Sequence, residues 1–396
     1  MKRFLLIIAV SSLLTGLLCL GSLSCDRTDP DAIAQRTRSG SGYLVTMDYS
    51  KLKASTHMTI FQLSKFVDSV EVVKLESTKE ALTSADIIFV SDNYIVAHMW
   101  RPNASCKLYR KSDGKFLGNI GNQGRGPFEY FDIYDVIIDE SKGIFLLPID
   151  SRYILQFDLE GKTVQEIPLA FEVNKGIFEL NDSIFTIMIA PFRDMAETFI
   201  WQQDFEGNII NSIDAEPFYV HPEYGTEFEY WNDEASLNFF IFTFSHDRDS
   251  IFHYDKKSGK IYPEFTVDYK DPAFERHRTY YSIPGYYFGY FSDREKTDRG
   301  TIYTRRDHFY VEKESLKGGY YKIVNNFFAK LPIEEMTIRN GYYIGNYYPE
   351  LLRYEINKSL RTNEFTPEDA DKLKEYASTL RDDDNNILII GKLKKL

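Results

Sequence analysis

Tyr109-Arg110-Lys111-Ser112-Asp113-Gly114-Lys115 decides the fold, because variants of it recur along the chain. Phe157-Asp158-Leu159-Glu160-Gly161-Lys162, Phe205-Glu206-Gly207-Asn208 and Tyr254-Asp255-Lys256-Lys257-Ser258-Gly259-Lys260 repeat an aromatic residue, a polar turn and a glycine. The glycines at 114, 161, 207 and 259 stand 47, 46 and 52 residues apart. Each suits a tight hairpin that needs positive φ. A fixed period of this length is the mark of a repeat architecture.

A second hairpin precedes each copy. Ile87–Val90 with Tyr94–Ala97, Val136–Ile138 with Ile144–Leu147, and Ile177–Leu180 with Ile184–Ile189 are the first three. Phe239–Phe244 with Ser250–Tyr254 reads as a distorted fourth, Thr301–Thr304 with His308–Val311 as a fifth, and Met336–Ile338 with Tyr342–Tyr347 as a sixth. These runs are rich in Ile, Val, Phe and Tyr, as strands are. Four strands per roughly 47 residues is the spacing of a β-propeller blade. The expectation is an all-β, six-bladed β-propeller with four-stranded blades. So small a sheet cannot bury both faces alone, so the blades stack and the ring closes. The 30 Phe and 28 Tyr are explained first by those inter-blade contacts.

Closure is legible as well. After two strands of the last blade a helical insertion spans about 350–381. Thr366-Pro367-Glu368-Asp369 reads as an N-cap, an N1 proline and an acidic first turn leading to about Leu380. Ile387–Lys392 supplies a third strand. Val70–Leu75, near the N-terminus, is expected as the fourth, tying the chain ends together and removing an open edge.

At the start, Lys2 and Arg3 precede an apolar run from Phe4 to Leu20 and then Gly21-Ser22-Leu23-Ser24-Cys25. A charged start, a short apolar stretch and small residues before a cut site define a secretory signal over residues 1–24. Ser24 before Cys25 fits lipoprotein cleavage, with Cys25 as the lipid attachment residue, although Ser22 stands at −3 where Leu is usual; the alternative is ordinary cleavage after Ser24 that leaves Cys25 a plain thiol. Residues 25–42 carry no apolar period and are read as a flexible tether, with the propeller over 43–396. Cys106 is then the one other cysteine of the mature chain, so no intramolecular disulfide can form, and it is expected as a core residue.

The full chain has 47 basic and 59 acidic residues; removing Lys2 and Arg3 leaves 45 against 59, a net charge of −14. Nucleic acid is disfavoured as a partner, because phosphate neutralisation supplies most of such affinity.

Strand parity separates the loops into two faces. The hairpins joining first to second and third to fourth strands lie on one face. The second-to-third loops and the connections between blades lie on the other. The long segments 98–105, 118–132, 190–198, 214–238, 267–300 and 350–384 all fall in the second class, and function concentrates in such loops.

The most distinctive of these segments is Gly118-Asn119-Ile120-Gly121-Asn122-Gln123-Gly124-Arg125-Gly126-Pro127-Phe128-Glu129-Tyr130. Together with Ser69–Glu76 and Asn386–Lys394, it resembles an uncharacterised six-bladed β-propeller lipoprotein family of Bacteroides-type bacteria. The resemblance spans nearly all of the mature chain and implies architecture more than activity. It is carried residue by residue only at these three segments; 214–300 has no such match.

The candidate ligand-binding residues on the long-loop rim are Trp100, Arg101, Arg125, Glu129, Arg152, Arg193, Trp231 and Tyr286. The arginines suit a carboxylate or sulfate in fork geometry, and the aromatics suit sugar rings. Each has a plainer reading: Arg125 and Glu129 pinned within their own crossing, the other arginines paired along the wall, and the tyrosines packed between blades. Metal and nucleophile signals are thin. The histidines lack helical zinc spacing, and neither a G-x-S-x-G elbow nor a calcium loop occurs. No catalytic residue, metal or cofactor is assigned.

The reading is an envelope-anchored, non-enzymatic binding or scaffold lipoprotein in the outer membrane, surface-exposed, with a glycan, a peptide or a partner protein as ligand. The alternative is a metal-dependent propeller enzyme, lactonase- or lyase-like, working in the central channel.

Overall fold

The computed structural model describes residues 29–40, 42–99, 105–221, 227–232, 236–242, 250–270, 276–297, 300–334 and 336–394. It is a six-bladed β-propeller. Blade I comprises Ile87–Val90, Tyr94–His98, Cys106–Arg110 and Phe116–Ile120. Blade II comprises Ile133–Asp139, Gly143–Pro148, Ser151–Phe157 and Thr163–Val173, and blade III comprises Gly176–Asn181, Ile184–Ile189, Thr198–Gln203 and Ile209–Asp214. Blade IV runs Glu227–Asn232, Ser236–Phe242, Ser250–Asp255 and Lys260–Asp268. Blade V runs His277–Ile283, Tyr286–Thr297, Gly300–Glu312 and Gly318–Asn325. Within each of these five blades the four strands pair antiparallel in chain order, from the inner strand outward.

Blade VI closes the ring as the sequence implies. Ile338–Arg339, Tyr342–Tyr347 and Ile387–Lys392 are joined by Glu71–Lys74, with Leu388 opposite Val73 and Ile387 opposite Lys74. Val73, Tyr342, Leu388 and Ile390 then pack with Ile88, Ile95 and Tyr109 of blade I. Two buried asparagines fasten the junction. Asn385 accepts from Thr83 N at 3.2 Å and donates to Glu76 O at 2.9 Å. Asn386 accepts from Ala85 N at 3.0 Å and donates to Asn346 Oδ1 at 2.7 Å.

The repeat glycines work as expected and do one thing more. Gly114, Gly161, Gly207 and Gly259 have φ of +68°, +79°, +83° and +62°. A Cβ at Gly114 would stand 2.1 Å from Lys74 O, at Gly161 2.4 Å from Asn119 O, and at Gly207 3.0 Å from Pro168 O. Each turn therefore tucks against the outermost strand of the preceding blade, and only a residue without a side chain passes there.

Three expectations are corrected. The expected fourth hairpin falls one strand late, and both halves of the expected fifth lie in a single strand, the third of blade V. In blade IV the first hairpin is Glu227–Asn232 with Ser236–Phe242, and Ser250–Asp255 is the third strand. In blade V the supposed loop 267–300 contains the first two strands, and Gly300–Glu312 is one continuous strand. The flexible tether also ends sooner than residue 42. Ala34–Ser39 pairs with Gly42–Asp48, which adds in parallel to the outer strand of blade IV. Asp48 caps the short helix α1 (Tyr49–Ala54), and Met58–Gln62 runs parallel to the outer strand of blade V. Ile33, Val45, Met47 and Leu52 are buried there against blades IV and V. Segments polar enough to read as a leash thus form a belt, because the outer edges of two blades offer them backbone partners.

The insertion consists of α2 (Pro349–Thr362) and α3 (Pro367–Thr379). Thr366 caps α3 by accepting from Asp369 N at 3.2 Å. Leu352, Ile356 and Ala377 bury against blades V and VI. The insertion joins the second and third strands of blade VI, which puts it on the long-loop face. Residues 1–24 and Cys25 lie outside the described residues.

Candidate functional site

The channel is formed by the inner strands, and its charged groups come from different blades. Asp135, on the inner strand of blade II, is 1% exposed. Its carboxylate accepts from Phe178 N of blade III at 3.1 Å and from Tyr230 Oη of blade IV at 3.0 Å. Arg339 of blade VI reaches across to it, Nη1 to Oδ1, at 3.8 Å. Burial pushes the Asp135 carboxyl up to about 6, against the opposing pull of Arg339 and the two hydrogen bonds. The Arg339 guanidinium lies over the Phe89 ring at 5.0 Å and the Tyr230 ring at 5.9 Å. Four blades are thereby tied through one carboxylate.

Beside this cluster is a cavity of about 210 Å³. Asp86, Thr337 and Asn346 line it from the long-loop ends of their strands, and Arg339, one residue before the Asn340-Gly341 hairpin, lines it from the other end. Phe228, Tyr230 and Tyr281 give it aromatic walls, and Glu229 adds a further carboxylate.

A second concavity, about 450 Å³, lies between blades II and III on the long-loop face. Asp150, Arg152, Glu172, Phe192 and Met195 line it. Arg152 pairs with Glu172 at 2.7 Å, both exposed. Arg193 stacks over Tyr219 at 5.5 Å. The two second-to-third loops are thus brought together, but in a groove between blades rather than in the channel. The same face exposes Phe131, Met195, Tyr348, Leu351 and Tyr354, the last three forming one stripe along α2 that begins where Tyr348 Oη donates to Asp86 at 3.3 Å.

The glycine-rich crossing is built around its own glutamate. Glu129 Oε2 accepts from Gly126 N at 2.7 Å, and a Cβ at Gly124 would stand 1.9 Å from that oxygen. Arg125 is exposed and has no hydrogen bond or ion pair among the described residues. Tyr130 Oη donates to Ile120 O at 2.7 Å and accepts from Cys106 N at 2.9 Å, which pins the crossing to blade I.

Tyr286 is no rim residue. It opens the second strand of blade V beside the Pro284-Gly285 turn, on the hairpin face, is buried, and donates to Glu312 at 3.2 Å. Trp231 belongs to the inner strand of blade IV rather than a loop, and its side chain lies outside the described residues. Trp100 and Arg101 lie outside them too.

Cys106, His98 and Asp132 form an unforeseen row at the long-loop end of blade I. His98 Nδ1 is 3.5 Å from Cys106 Sγ, and its Nε2 is 2.9 Å from Asp132 Oδ1. Burial opposes a charged imidazole here, but the hydrogen bonds to Asp132 and Cys106 outweigh it and hold His98 up to about 9. Nucleophile, base and orienting carboxylate would stand in this order. The thiol and the imidazole are both fully buried, so the row offers no surface to a substrate and serves as a clamp. Among the described residues no three His, Cys, Asp or Glu side chains come together as metal ligands would.

The family described as "Domain of unknown function (DUF4934)" matches residues 50–392. The chain belongs to this family. The match covers all six DUF4934 blades here, together with α1, α2 and α3. Among solved structures, a "putative exported protein" of Bacteroides fragilis NCTC 9343 superposes with TM-score 0.58 at 14% identity, covering 86% of this chain and 100% of that one. A DUF4221 family member from Bacteroides vulgatus aligns with TM-score 0.44 at 12% identity, over 83% of this chain and 97% of that one. The first likeness concerns the fold alone. No curated protein sequence matches the chain.

Proposed function

We propose that the protein is an exported lipoprotein that binds a ligand on the long-loop face of its propeller, with a glycan as the first choice over a peptide or a partner protein. Residues 1–24 direct export, and Cys25 carries the lipid in the outer membrane. The description of the Bacteroides fragilis neighbour as exported supports the first step. The observation that carries the binding reading is the channel cavity, lined from the long-loop side by Asp86, Thr337 and Asn346, with aromatic walls, acceptors and one arginine. That composition suits a polar ring better than a metal ion, whose ligands would be several convergent carboxylates or imidazoles.

Glycan and peptide arrays probed with the mature chain test the face. Thr337→Trp, at the long-loop end of the cavity, is expected to reduce whatever signal the wild type gives, and Lys162→Glu, on the hairpin face, to leave it intact. Loss of signal with Lys162→Glu alone would sink the assignment of the face. Lipid anchoring is checked separately: labelling with a radioactive fatty acid should disappear in Cys25→Ala, and label retained there would refute it.

A further inference from the structure

We infer that the channel cavity is a subsite for a carboxylate-bearing sugar, with Arg339 as the group that selects the acid. The inference rests on the proposed long-loop binding face and narrows its ligand class.

The argument begins with the donors of Arg339. A guanidinium carries five N–H groups in a fixed plane. Here the plane lies over Phe89 and Tyr230, and its one ion pair among the described residues, to Asp135, spans 3.8 Å. Among the described residues Arg339 makes no hydrogen bond, although it lines a cavity and its side chain is 26% exposed. Asp135 is already satisfied by Tyr230 and Phe178. The arginine is therefore oriented by stacking while its N–H fork is left for a planar acceptor, and carboxylate is the acceptor whose geometry matches it.

The rest of the lining fits the body that would carry that carboxylate. Aromatic faces at Phe228, Tyr230 and Tyr281 suit the C–H face of a pyranose, and the acceptor oxygens of Glu229 and Asp86 suit its hydroxyls. The volume, about 210 Å³, holds one ring and excludes a longer stretch of chain. A fatty acid offers those oxygens no hydroxyl, and a neutral sugar would leave the fork unfilled.

The test compares sodium D-glucuronate, D-glucose and sodium acetate by calorimetry with the mature chain. Glucuronate is expected to bind at least about tenfold tighter than either of the others. Arg339→Gln should abolish the preference over glucose, and Arg339→Lys should restore it only in part, since a lysine offers charge without the fork. Equal affinity for glucose and glucuronate in the wild type overturns the inference without any variant that must fold. Acetate as tight as glucuronate overturns its sugar half. Array signals from neutral glycans or peptides alone, still sensitive to Thr337→Trp, would overturn the inference and leave the binding face standing. Silence on every probe would remove both.

Discussion

The two faces of the ring differ in how their loops are built. On the hairpin face the same glycine turn recurs, and each copy fits against the outermost strand of the preceding blade. On the long-loop face the described connections differ: a glutamate-centred crossing after blade I, a bare two-residue link between blades II and III, a helical pair in blade VI. The first face repeats through blades I to IV because each turn makes the same contact. The second is released from that demand, and the groove, the α2 stripe and the Asp86, Thr337 and Asn346 side of the cavity lie there. Repetition marks what holds the ring, and its absence marks where a ligand has room.

The comparison can be broken most forcefully at Gly161. Valine there would combine a φ of +79° with a Cβ 2.4 Å from Asn119 O, so chemical denaturation should show a loss of about 4 kcal/mol. A loss below 1 kcal/mol, on the order of an ordinary surface change, would mean that the turns do not carry the blade contact.

The long-loop face has one stabilising device of comparable size, the His98 clamp. His98 is held up to about 9 from an ordinary 6.5, so its contribution is complete below pH 6.5 and fades as the pH rises to about 9. The shift corresponds to at most about 3 kcal/mol. Denaturation midpoints should fall between pH 6.5 and 9 in the wild type, and His98→Gln should flatten that slope. An unchanged slope would place the titration elsewhere.

Asn386→Ala should cost about 2 kcal/mol, because it leaves Ala85 N and Asn346 Oδ1 unpaired in a buried junction. Leu351→Asp marks the opposite extreme. Leu351 is 47% exposed, and its replacement should move stability by no more than about 0.5 kcal/mol. A larger effect would show that the α2 stripe is packed rather than presented.

Much of the fold was legible because it repeats. Gly114, Gly161 and Gly207 located three blades, Thr366 located the start of α3, and Val70–Leu75 was paired with its partner at the far end of the chain. Blades IV and V were misplaced where the strands are unusually aromatic or end in charge. The run Asp293-Arg294-Glu295-Lys296-Thr297 reads as a loop, yet it is the extended end of a strand paired to Gly300–Tyr303 and Thr304. The Pro284-Gly285 turn was the available signal, since proline followed by glycine fixes a type II turn between two strands. Tyr286 would then have been placed in packing.

The site was less legible, for a different reason. Rim arginines were sought in loops, and the channel arginine is on a strand. Asn340-Gly341 announces a hairpin and so puts Arg339 on the inner strand of the last blade. Asp135 interrupts the otherwise apolar run Ile133–Ile138, which is a cue to a buried charge. What single positions cannot give is their meeting: residues 135, 178, 230 and 339 converge only once six sheets have closed into a circle.

That circle also sets the order in which the chain can finish folding. Each blade hairpin joins neighbours a few residues apart, at a loop entropy of roughly 1 kcal/mol, whereas bringing Lys74 to Ile387, 313 positions away, costs roughly 5 kcal/mol on the same scale. The segment Glu71–Lys74 is made early and waits for the last strand, and until then blade VI has a raw edge open to any passing β-strand. The belt along blades IV and V shortens that wait by holding the early segment beside its destination. Chain topology thus makes assembly of the ring a late, single event, and the channel cavity comes into existence at that step and not before.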